Sequence, residues 1–151
     1  MINLLDRFGL AHTQVTRLHG ELAEIVGPGQ TFSAKVELKL TPREMAYEGD
    51  MPRYQVTAHM MCRGSREAEH ADQPLFTIEL VLQTVYQQFD GEAMPFKTFS
   101  ENHGSLTRQL YPLIHHQLQP VFKQFGLEQV KLPYDLAGNA APEAGDHRQV
   151  H

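Results

Sequence analysis

Three segments alternate between apolar and polar side chains in succession, Ala34–Leu40, Tyr54–Met61 and Leu75–Phe89, and a stretch at helical spacing, Leu106–Phe125, comes after them. A period of two fits extended chain with one face buried, whereas recurrence at three and four residues marks a helix with an apolar stripe. Strands met in a row and then a helix predict an α+β domain. The expected architecture is a four-stranded antiparallel sheet with one face covered by the late amphipathic helix.

The fourth strand is the earliest in the chain and the least regular. Between His12 and Ile25, Val15, Leu18, Leu22 and Ile25 suit a helix, while Thr13, Val15 and Thr16 favour a strand. An irregular, bulged strand reconciles the two, and Pro28-Gly29 ends it. Before it, Leu4, Leu5 and Phe8 predict a short leading helix within Ile2–Leu10. Thr41-Pro42-Arg43-Glu44 has capping-box spacing with proline at the first helical position, which predicts one helical turn or a loop. Glu92–Gly104 reads as an irregular connection. In the late helix, Pro112 marks the first turn, Pro120 a kink and Gly126 the stop. A single domain over residues 1–137 is expected, with 138–151 a polar, proline-bearing, disordered tail.

Composition narrows the function. A chain of 151 residues fits one domain, since domains centre at roughly 100–150 residues. The formal charge is −5, which gives no overall basic footprint and argues against nucleic-acid binding. Cys62 is the sole cysteine, so an internal disulfide and a cysteine-based metal cluster are excluded. No stretch approaches the ~20 consecutive apolar residues of a membrane span, and Met1–Arg7 lacks the order of a signal peptide, so a cytoplasmic protein is expected.

No catalytic motif appears. Nucleophile elbow, phosphate-cradling glycine loop and dinucleotide fingerprint are all missing, and Gly27-Pro28-Gly29 reads as a turn. Adjacent His115 and His116 lie about 100° apart on a helix, whereas chelating pairs want three- or four-residue spacing. His12, His19, His59 and His70 fall on separate elements. Acidic pairs such as Glu21 with Glu24, or Glu67 with Glu69, sit in charged stretches and read as solvated. Cys62 reads as an inert, half-buried thiol. No enzyme activity, metal or cofactor is expected. Catalysis by histidines would need His12, His59 and a carboxylate to meet in one cleft.

The informative signal is an apolar surplus. Met61, Val81 and Val85 stand on the strand faces opposite the core pattern, and Met45, Met94, Phe96 and Phe99 fall in connections. They either pack inside the monomer or form an interface with identical subunits or flexible apolar segments.

Against this background, several segments in order resemble the SecB export-chaperone family. Gln14-Val15-Thr16-Arg17-Leu18 is similar to the opening of that family's first strand, and Lys35-Val36-Glu37-Leu38-Lys39-Leu40 to its second. Leu75-Phe76-Thr77-Ile78-Glu79-Leu80 resembles the start of its fourth strand. Leu110-Tyr111-Pro112 resembles its Leu-Phe-Pro helix, and Leu132-Pro133-Tyr134-Asp135-Leu136 the segment after it. The resemblance implies an ATP-independent holdase or dedicated client chaperone, assembled as a dimer or homotetramer, that binds unfolded or extended polypeptides in apolar grooves. It implies client contact at Val36, Leu38 and Leu40, and the expected surface extends to neighbouring strand residues Tyr54 and Val56 and to the helix end at Phe122 and Phe125. It also implies subunit assembly at Ile78, Leu80 and Leu82, and contact with the translocation motor at Thr77 and Glu79.

The chain departs from the family pattern in three places. Paired acids late in the first strand are not in register, a polar tail replaces the carboxyl-terminal helix, and Val85-Tyr86 stands where the family has a glycine pair. The resemblance therefore supports client holding more than motor docking. The rival reading is a small-ligand or specific-partner binding module on the same layers, associated with an antitoxin or a mobile element.

Overall fold

Every strand of this chain runs antiparallel to its neighbours in one four-stranded sheet, in the order β1-β4-β3-β2. The computed structural model describes residues 2–23, 33–65 and 74–127. The strands are β1 (Phe8–Leu22), β2 (Ser33–Glu44), β3 (Arg53–Ser65) and β4 (Phe76–Gln88). A short helix, α1 (Phe96–Glu101), leads through a 3-10 turn at His103–Leu106 into α2 (Thr107–Gln124). Consecutive strands β2, β3 and β4 pair as neighbours, and β1 closes the far side of β4, so β1 and β2 are the two edges.

The period-two pattern decides which face is buried. Tyr54, Val56, Ala58, Met60 and Cys62 on β3, and the alternate β4 residues from Phe76 to Tyr86, are all buried. Their intervening neighbours are half-buried or exposed. Against this face α2 sets Leu110, Tyr111, Ile114, Leu118 and Phe122. Burying such side chains contributes about 1.5–3 kcal/mol each before the entropy of ordering them is counted.

Aromatic rings hold the two ends of the core. Phe8, Tyr54 and Phe99 cluster at one end with centroids 4.7–6.0 Å apart. At the other, Phe76 meets Phe122 edge to face at 6.2 Å. Hydrogen bonds fix how the late elements dock. The Tyr86 hydroxyl donates to Gln109 Oε1 at 2.8 Å, tying the start of α2 to β4. Buried Gln88 donates to the carbonyls of Asp90 and Glu92 and accepts from the Met94 N–H, which shapes the turn out of β4. The α2 terminus is a Schellman motif: Gly126 (φ 72°) donates to Lys123, and Leu127 donates to Phe122.

Four sequence expectations are corrected. The leading helix shrinks to one 3-10 turn, Leu4–Asp6, with β1 beginning at Phe8. Thr41–Glu44 is strand, because the ladder to β3 continues through Thr41↔Thr57 and Glu44↔Tyr54 and outweighs the local capping signal. Pro42 is tolerated because β2 is an edge. Glu92–Gly104 contains α1, whose Phe99 is fully buried. Pro112 lies inside α2 rather than in its first turn. The tail at 138–151 and the boundary at 137 lie outside the described residues.

Candidate functional site

Among the described residues, the cover over the sheet is incomplete along β1. Register places Thr13, Val15, Leu18, Gly20 and Leu22 on the helix-facing side, opposite Thr84, Leu82, Leu80, Ile78 and Phe76. Two register shifts, between Leu10 and His12 and between Val15 and Arg17, leave one residue unpaired each time. The second shift puts Val15 and Leu18 on one face although they are three residues apart.

Burial along this line is uneven. Phe8 at its start is 1% exposed and Leu80 one strand inward is 1% exposed, yet Leu18 is 50% exposed. Gly20 at the far end lies beneath the Phe125 ring, whose Cζ would be 2.8 Å from an added Cβ. Both ends of β1 are therefore capped while its middle stays open. Leu113 on α2 is also exposed, at 37%, and Val15 is half-buried against the core. Beside Val15 and Leu18 runs the backbone edge of a 15-residue strand, with no partner strand on its outer side among the described residues. An apolar line beside unpaired N–H and C=O groups is a template for an extended polypeptide.

The residues expected from sequence fall elsewhere. Val36, Leu38, Tyr54, Val56 and Phe122 are all at most 6% exposed and belong to the monomer core. Leu40 and Phe125 are partly buried against it. Ile78, Leu80 and Leu82 are buried within the same chain, at most 2% exposed. Met94 and Phe99 are also core, and Phe96 packs against it, so most of the apolar surplus in connections is spent internally. Met61, Val81 and Val85 stay half-buried on the opposite side of the sheet.

That opposite side holds the polar groups. Glu79 accepts a 2.6 Å hydrogen bond from His59 Nε2, with Arg17 Nη1 3.7 Å from its other oxygen. The His59 bond, followed by the nearby positive groups, holds the Glu79 carboxyl below its ordinary pKa. Thr77 shares this face, next to Glu21 across the β1 pair. His12 lies beside Val85 and His59 beside Val81, four residues apart on β4 and so roughly 13 Å along the strand. The two histidines share a face but no cleft. His116 is exposed, while His115 is half-buried with its ring 6.4 Å from that of Tyr111. No group of three or more His, Cys, Asp or Glu among the described residues could hold a metal. Cys62 is fully buried rather than half-buried, and burial pushes its thiol up to about 12.

The sequence reading gave function to the strands with the cleanest alternation, whose inward residues a core consumes, and did not consider the β1 strip. The signal was present in β1 itself. Val15 and Leu18 at helix-like spacing inside a β-rich segment mark a bulge that turns both to one face.

None of the described helices is long and apolar enough to cross a membrane. No family model matches the sequence, and no curated protein matches it. A solved structure does. The Mycobacterium tuberculosis SecB-like chaperone Rv1957, in complex with a ChAD peptide from the Rv1956 HigA1 antitoxin, aligns with a TM-score of 0.66 at 13% identity, over 86% of this chain and 92% of that one. At that identity the likeness is one of fold, and the fold of this chain is SecB-like.

Proposed function

We propose that this protein is a cytoplasmic SecB-like chaperone that, without nucleotide, holds an extended polypeptide along β1 and α2. The observation that carries the reading is the open middle of β1, where Leu18 is half exposed beside a free strand edge in a sheet otherwise covered on that face. Alternate apolar side chains of the client would cover Val15 and Leu18, while its backbone pairs with the edge. Phe125 borders that surface above Gly20, Tyr54, Val56 and Phe122 lie in the core behind it, and Val36, Leu38 and Leu40 stand on β2, the opposite edge of the sheet. Self-association to a dimer or tetramer is also part of the proposal, through the second sheet edge, β2, since the client takes β1.

A role confined to one partner is the second reading. It is favoured by the SecB-like neighbour, which was solved with a peptide from an antitoxin. Contact with a translocation motor through Thr77 and Glu79 is weakly supported, because Glu79 is engaged by His59 and Arg17.

Amide hydrogen exchange tests the site. On adding a reduced, unfolded test protein, exchange should slow along Thr13–Leu18 and stay unchanged along β3. Protection confined to β2, or none anywhere, contradicts the assignment. Slowing by several test proteins supports a general holdase, and by a single cognate peptide the dedicated role.

A further inference from the structure

The face of the sheet turned away from α2 is covered by no described element, and its charge is opposite to that of the chain. Register places Arg17, Lys35, Lys39, Arg43, Arg53 and Arg63 on it, all exposed. The acids sharing it are Glu21, Glu37 and Glu79. Six cations against three acids make this a positive surface on a chain of formal charge −5. Among the described residues Arg17 is the one of the six held in an ion pair. Lys35, Lys39 and Arg43 follow one another along edge strand β2, and half-buried Met61, Val81 and Val85 lie inward of them.

We infer that this outer face is a second docking surface, separate from the β1 strip, and that its occupant is an acidic polypeptide segment bearing some apolar side chains. The pattern matches such a partner: carboxylates would meet the β2 lysines and Arg43, and apolar groups would cover Met61, Val81 and Val85. A nucleic acid fits less well. Glu21 and Glu37 break the positive surface that a phosphate backbone would follow. A basic partner would meet the wrong sign, and Glu79 is already neutralised by its neighbours.

The test is fluorescence anisotropy with a labelled peptide of Glu and Leu residues, beside the same peptide with Gln for Glu and a labelled oligothymidine. The Glu peptide should bind at least about tenfold more tightly than the Gln peptide, and added salt should weaken it. The double variant Lys39→Glu, Arg43→Glu changes two exposed side chains. It should weaken the Glu peptide at least about tenfold and leave the Gln peptide unchanged. Leu18→Asp should leave the difference between the two peptides intact. Equal binding of the two peptides, indifference to the double charge reversal, or tighter binding of the oligonucleotide overturns the inference.

Discussion

An added Cβ at Gly64 would lie 2.0 Å from Phe76 Cε2, a distance no side chain can accept. The Phe76 ring occupies the space a side chain would take, and Gly64 and Phe76 are themselves a cross-strand pair. Ala suits a strand interior better than Gly by local propensity alone, so the ring decides the sign. Gly64→Ala should destabilise the protein by about 1–3 kcal/mol, read from the denaturant midpoint. An unchanged or raised midpoint would show that Phe76 moves aside freely. At Glu79 the folded-state pKa lies below its ordinary value of 4.5, chiefly through the His59 hydrogen bond. A depressed acid stabilises the fold above its unfolded pKa, and that contribution is lost as pH falls through the folded pKa. NMR titration should therefore place the Glu79 midpoint below 4.5, and His59→Ala should raise it. A midpoint that ignores the substitution would sink the assignment. Neither detail is legible in the sequence, because each depends on which residues face one another across strands.

Among the elements, β2, β3, β4 and α2 were legible from their periods, since one face of each is buried and the pattern repeats cleanly. Two of the misreadings share one cause. At Thr41–Glu44 and Ile2–Leu10, local signals for helix were overridden by pairing with a neighbouring strand, which a local pattern does not contain. The bulges of β1 were anticipated, but their consequence for Val15 and Leu18 was not. Helix α2 also shows a local choice working against stability. Pro120 is exposed in the helix interior and has no N–H for the carbonyl four residues earlier, at His116. Pro120→Ala should raise stability, by up to about 3 kcal/mol, seen as a higher thermal midpoint. A lower midpoint would mean that the proline sets the direction in which Phe122 and Phe125 reach the sheet.

For the whole molecule, the arrangement separates two surfaces. Among the described residues, one side of the sheet is packed beneath α2 except along β1, and the other is uncovered, positive and carries Met61, Val81 and Val85. The fold could be read from the order of patterned segments, and the resemblance to SecB agrees with the solved neighbour. The candidate site could not be read in the same way, because the cleanest apolar stripes are core and the candidate surface is what the core leaves over. The central claim is that Leu18 and its neighbours hold an unfolded polypeptide without nucleotide. Light scattering during aggregation of a denatured test protein measures this directly, with the protein equimolar to it and ATP absent. The account predicts that the native chain suppresses aggregation. Leu18→Asp, folded by circular dichroism, should lose most of that effect. No suppression by the native chain, or full suppression by Leu18→Asp, would contradict it.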